Sequence, residues 1–167
     1  YHSLWISRKD LAIHFGYYDR ETTSHSASLL KMNEVLAKYA KVTKKDHVLD
    51  AGCGYGGSVT WLAKNIGCDV TGLNVVSFQI DKARQFAQRQ GVENLVSFYN
   101  EDYAHTSFLN ESFDVVLALE SVVHASDKAK VIAEFSRLLR PGGRLVMAEY
   151  TLRESPLLLK IEHNFMR

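Results

Sequence analysis

The sequence predicts an α/β fold with a doubly wound parallel sheet, and three observations carry that prediction. Strand-like and helix-like patterns alternate from about residue 41 to 152, which calls for right-handed crossovers between parallel strands. The run Val115-Val116-Leu117-Ala118-Leu119 is apolar without a break, as a central parallel strand covered on both faces requires. The stretch from His47 to Leu62 reads as strand, tight turn and helix, with glycines at 52, 54, 56 and 57 in the turn. In such a sheet a ligand is expected beyond the carboxyl ends of the strands, beside the first one.

The elements follow in order. Residues 1–21 mix aromatic and polar side chains without a period, and the dense run Ile13-His14-Phe15-Gly16-Tyr17-Tyr18-Asp19 reads either as a strap over apolar surface or as a functional lid. From about Thr23 to Tyr39 the spacing of Leu29, Met32, Leu36 and Tyr39 predicts a helix docked on the sheet. Cys68 to Leu73 reads as a second strand entered from Gly67, and Ser77 is expected to cap a helix with Ile80, Ala83, Phe86 and Ala87 inside, ending near Gly91. Leu95 to Tyr99 is a predicted third strand and Phe113 to Leu119 a fourth. A helix from about Asp127 carries Val131, Ile132, Phe135, Leu138 and Leu139 and is expected to stop at Pro141-Gly142-Gly143. Arg144 to Tyr150 is a predicted fifth strand, and Leu157 to Phe165 starts another amphipathic segment. The expected organisation is a lid and docking helix over 1–40, a sheet core over 41–152 and the start of a helical segment over 153–167.

Composition narrows the function classes. Apolar residues make up 46% of the 167 and charged ones 23%, with 20 Lys and Arg against 19 Asp and Glu, so the net charge of +1 offers nothing to a polyanion. Cys53 and Cys68 lack a metal-ligand spacing, and the histidines at 2, 25, 47, 105 and 163 are scattered, so no metal is expected. Unpaired cysteines and the lack of a signal pattern or long apolar run lead to the expectation of a cytoplasmic protein without a membrane span. Nucleic acid is not an expected partner, and a homo-oligomer is left open.

The glycine turn narrows them further. Gly52, Gly54 and Gly57 spell G-x-G-x-x-G, a pattern too common to name a ligand by itself. Asp50 stands two residues before the first glycine, where a pyrophosphate would approach, and no Lys or Arg lies between Val48 and Ala63 to offset its charge. That carboxylate suits a ligand bearing an ammonium and a sulfonium, as S-adenosylmethionine does. Val48 to Gly56 resembles the first motif of the class I S-adenosylmethionine-dependent methyltransferases.

The resemblance covers roughly residues 12 to 152 and implies the Rossmann-like methyltransferase fold. That fold ends with two further strands, for which there is no room after Arg167, so the chain is expected to be a fragment or a truncated form lacking them. The G-x-N-x-x-x-x-Q run from Gly72 to Gln79 is similar to the tocopherol, sterol and cyclopropane-fatty-acid methyltransferase group. By that resemblance Asp50, Gly52, Cys53 and Gly54 hold the cofactor, and Asn74, Val75 and Gln79 meet its ribose in place of the usual acidic residue, although Ser77 and Gln79 also read simply as first-turn helix residues. Asp102 and Tyr103 would meet the adenine, with a solvated loop carboxylate as the other reading of Asp102. Leu119 would flank the cofactor, and His14 and Tyr18, in a His-Phe-Gly-Tyr-Tyr run, would reach its methionine carboxylate. In Glu120-Ser121-Val122-Val123-His124, His124 is the candidate catalytic base, or else only shapes the pocket. Cyclopropane synthases carry Glu immediately before that His, where this chain has Val123, which argues against lipid cyclopropanation.

The implied activity is methyl transfer from S-adenosylmethionine to an oxygen, nitrogen or carbon of a small or lipid-like molecule, with S-adenosylhomocysteine as product. The alternatives are a catalytically silent protein that binds these compounds and, less favoured because the carboxylate wanted near residue 74 is missing, an NAD-dependent oxidoreductase.

Overall fold

The computed structural model describes residues 11–150. Its elements are α1 (His25–Tyr39), β1 (His47–Ala51), α2 (Gly57–Asn65), β2 (Asp69–Leu73), α3 (Ser77–Gln90) and β3 (Val96–Tyr99), followed by β4 (Phe113–Leu119), a 3₁₀ turn (Val122–His124), α4 (Lys128–Leu138) and β5 (Leu139–Ala148). The five strands pair in parallel in the order β3-β2-β1-β4-β5. The chain steps outward from β1 to β3 and returns to the other side of β1 for β4, so the switch point lies between β1 and β4. This is the doubly wound sheet that the alternating pattern predicts.

Side-chain alternation splits the core into two layers. Val48, Val115 and Leu117 face the layer holding Leu62 of α2 and Ile80 and Ala83 of α3. Leu49, Val116 and Ala118 face the other, against Val131, Phe135 and Leu138 of α4. The strands of the centre are buried on both faces because every residue from Val115 to Ala118 is apolar.

Four local expectations are corrected. Tyr39 is 76% exposed, because the buried stripe of α1 runs through Leu29, Asn33, Leu36, Ala37 and Ala40 and leaves Tyr39 on the solvent side. Ile132 is exposed, since α4 buries the i, i+4, i+7 set Val131, Phe135 and Leu138. Ser77 is the first residue of α3, and the capping position belongs to Val76, which supplies no side-chain bond. Pro141-Gly142-Gly143 does not separate helix from strand: β5 begins at Leu139, and these residues lie with Arg140 in an irregularity between the pairs Phe113–Leu139 and Val115–Arg144. Asp127 does cap α4, accepting from the Lys130 N–H at 3.0 Å. The predicted amphipathic segment from Leu157 to Phe165 lies outside the described residues.

Two loops are tied down where they border the strand ends. The Thr106 N–H and hydroxyl donate to Glu134 at 2.9 and 2.7 Å, and the Arg137 guanidinium bonded to Glu134 holds its carboxyl down at about 2. The N-terminal strap is fixed at two points: Tyr17 N–H donates to Ser28 O at 2.9 Å, and Phe15 N–H donates to the Glu120 carboxylate at 2.8 Å. Phe15 also meets Tyr150 edge to face, with ring centroids 6.1 Å apart. The strap thus crosses from α1 to the ends of β4 and β5.

Candidate active site

The turn after β1 is shaped by what surrounds it. Gly52 and Cys53 N–H both donate to Leu73 O at the end of β2, at 2.9 and 2.8 Å, which folds the turn against the neighbouring strand. Gly52 has φ +95°, and a side chain there would place Cβ 2.4 Å from Cβ of Ser121. Ser121 in turn donates its hydroxyl to Ala51 O at 2.5 Å, so the loop after β4 braces the loop after β1.

Between these loops and the strap lies a cleft of about 270 Å³. His14, Asp50, Gly52, Cys53, Gly54, Asn74, Val75, Gln79, Tyr103, Leu119 and His124 line it, so the structure brings most of the sequence candidates together. Two stand apart. Tyr18 is 61% exposed and pairs its hydroxyl with Nδ1 of His25 at 3.1 Å, while the exposed Asp102 accepts from the Ala104 N–H at 2.8 Å in a local turn. Glu120, Ser121, Tyr55 and Ser58 also line the cleft although their sequence positions marked none of them as ligand residues. Glu120 betrays itself only in three dimensions, by a φ of +51° in a non-glycine residue at the strand end.

The charges of the cleft are one-sided. Among the described residues no Lys or Arg lines it, whereas Asp50 and Glu120 do. Asp50 is almost fully buried, and burial pushes its carboxyl up to about 7. Burial also raises Glu120, against the opposing pull of the Phe15 N–H, and raises the Cys53 thiol well above its ordinary value. His14 is held down by burial; its Nδ1 sits 2.9 Å from Phe15 O, and its buried Nε2 has no partner. Asn74 Nδ2 donates to Gln79 Oε1 at 2.5 Å, which aligns two neutral amides at the end of β2. Among the described residues the cleft offers a phosphate no Lys or Arg, and the carboxyls of Asp50 and Glu120 would oppose its charge. Among the described residues no group of His, Cys, Asp or Glu could hold a metal ion, and no helix is long and apolar enough to cross a membrane.

The family model described as "Methyltransferase domain" matches residues 49–147, more than half of the chain. The chain belongs to the methyltransferase-domain family. This methyltransferase-domain chain is 36% identical over 143 residues to Methyltransferase GfsG of Streptomyces halstedii, an alignment covering 84% of this chain and 51% of that protein. It is 34% identical over 145 residues to the sterol 24-C-methyltransferase of Eremothecium gossypii, covering 86% of this chain and 38% of the relative. The chain therefore spans about half or less of the length of these relatives. The crystal structure of the [4+2]-cyclase SpnF superposes with a TM-score of 0.82 at 28% identity, covering 86% of this chain and 53% of that one.

Proposed function

We propose that the chain binds S-adenosylmethionine in this cleft and forms the cofactor-binding part of an enzyme that methylates an oxygen, nitrogen or carbon of a small or lipid-like molecule. The observation that carries the reading is a buried carboxyl, Asp50, in a cleft that no Lys or Arg among the described residues lines. The fit can be tested on the residues present. The cofactor's ammonium matches Asp50 and its ribose hydroxyls match the Asn74–Gln79 amide pair, while Nε2 of His14, an acceptor as long as Nδ1–H donates to Phe15 O, meets the carboxylate only as the imidazolium. The bound cofactor supplies a methyl group on a sulfonium, an electrophile with a good leaving group.

The protein's own contribution is chiefly alignment and exclusion of water, effects together worth about 7–11 kcal/mol. Asp50 fixes the amino-acid end of the cofactor, and the strap, held by Glu120 through Phe15, covers the cleft. Tyr103 and Leu119 border it from the ends of β3 and β4. Asp102 and Tyr18 join the site only if their loops turn inward. His124, exposed at the mouth on the 3₁₀ turn, takes the proton that an acceptor hydroxyl or amine must lose. Replacing His124 by alanine is expected to lower turnover by about 10²-fold or more while leaving S-adenosylhomocysteine affinity within about threefold. Full turnover in that variant would remove His124 from the mechanism.

The ribose assignment makes a separate prediction. Gln79→Ala frees Asn74 and is expected to weaken S-adenosylhomocysteine binding about tenfold by calorimetry, with a smaller effect on ribose-free fragments such as methionine. An unchanged affinity would place the ribose elsewhere.

A second reading keeps the cofactor site without methyl transfer. It is favoured by the likeness to SpnF, a protein named as a cyclase on the same fold. An extract assay with methyl-labelled S-adenosylmethionine separates the two readings, since only the first transfers label. The buried thiols Cys53 and Cys68, which form no disulfide, support the further proposal of a reducing, cytoplasmic setting.

A further inference from the structure

The loop that carries Ser121 and His124 is held by a carboxylate from a different strand. Just past the end of β5, Glu149 accepts three successive backbone N–H groups: Ser121 at 3.1 Å, Val122 at 2.7 Å and Val123 at 3.2 Å. These are donors that the short 3₁₀ turn Val122–His124 cannot satisfy within itself. Charge-assisted bonds of this kind are roughly twice as strong as neutral ones. The clamped segment is in contact with the cleft on both sides. Ser121 donates to Ala51 O at 2.5 Å, its Cβ occupies the space beside Gly52, and its carbonyl accepts the Tyr103 hydroxyl at 2.9 Å. His124 N–H donates back to Ser121 O at 3.2 Å, so the histidine's place at the mouth depends on the same peptide.

We propose that Glu149 is a positioning residue: by pinning the Ser121–Val123 backbone it sets the wall of the cleft opposite Gly52 and the position of His124. It does not line the cleft itself, and nothing in its local sequence distinguishes it from a solvated carboxylate. This inference rests on the reading of the cleft as the cofactor site, but its geometry can be tested apart from that reading.

The test uses Glu149→Gln and Glu149→Asp in the full-length protein, with S-adenosylhomocysteine as the probe. Gln keeps the shape but turns an amide NH₂ toward the N–H donors; Asp keeps the charge with a shorter reach. For Glu149→Gln we expect amide hydrogen exchange at Ser121–His124 to speed up at least tenfold while β1 and α2 keep their protection, and the Kd for S-adenosylhomocysteine to rise about tenfold with the melting temperature nearly unchanged. Glu149→Asp recovers part of both losses. An affinity loss at constant melting temperature is what a purely structural carboxylate would not produce. Exchange and affinity both within twofold of the parent would overturn the proposal, as would a parallel fall of melting temperature and protection across the whole sheet. If the parent protein itself binds no S-adenosylhomocysteine, the cofactor reading fails, and the exchange at Ser121–His124 alone decides the clamp.

Discussion

Asp50→Asn is expected to weaken S-adenosylhomocysteine binding by at least about 30-fold and yet to stabilise the ligand-free protein above neutral pH. The first effect follows from removing the charged partner of a buried ammonium, a loss worth about 2–5 kcal/mol. The second follows from linkage. In the folded protein the carboxyl titrates at about 7 because it is buried, whereas in the unfolded chain it titrates at 3.8. Between those values the folded state holds the extra proton, so this group's effect on stability worsens as pH rises from about 4 to 7 and stays unfavourable above. The accumulated cost at pH 8 is on the order of 4 kcal/mol, from which asparagine's own buried amide takes back about 1–3 kcal/mol. Urea unfolding at pH 5 and pH 8 should therefore show the variant gaining on the parent with rising pH. A variant that loses both affinity and stability at pH 8 would mean that Asp50 is a structural residue with a partner of its own.

Gly52→Ala is expected to destabilise the fold by roughly 2–5 kcal/mol and to abolish binding in whatever protein remains folded. Two costs combine: a side chain at φ +95°, and a Cβ 2.4 Å from Cβ of Ser121. Ser121 cannot retreat cheaply, because its hydroxyl is bonded to Ala51 O and its N–H to Glu149. Gly67 provides the comparison. It too has positive φ, at +78°, but nothing lies within 4 Å of the position its Cβ would take, so Gly67→Ala should cost only about 1–2 kcal/mol and leave binding intact. Equal losses in the two variants would show that backbone strain alone matters and that the contact between the two loops does not.

The parts of this molecule that can be read from sequence are those governed by local patterns. β4 matches its predicted bounds because an unbroken apolar run has no other stable place than a sheet centre. The glycine turn is legible because its backbone has few alternatives to glycine, and Asp50's place in the cleft because it ends the strand that runs into that turn. What sequence does not show is set by contacts between distant segments. β5 continues through the irregularity at Pro141-Gly142-Gly143 because the strand pairs with β4 on both sides of it, which a local breaker rule cannot see. Glu149 acts on residues 26 to 28 positions away and Glu120 on Phe15, 105 positions away, so neither carries a local signature. Tyr18 and Asp102 illustrate the converse: the motif drew attention to them, but each has found a nearby partner of its own outside the cleft.

The central claim is that the cleft takes an ammonium-bearing, phosphate-free adenosine compound on an ionised Asp50. Calorimetric titration of the full-length protein with S-adenosylhomocysteine and with NADH, at pH 6 and 7.5 in buffers of different ionisation enthalpy, tests it directly. The account predicts one S-adenosylhomocysteine per chain, with tighter binding at pH 7.5 and close to one proton released on binding at pH 6, because the ligand must draw the proton from a carboxyl that otherwise holds it up to about 7. It predicts no NADH binding. Binding of NADH without S-adenosylhomocysteine, or S-adenosylhomocysteine binding that neither releases a proton nor changes with pH, would contradict it.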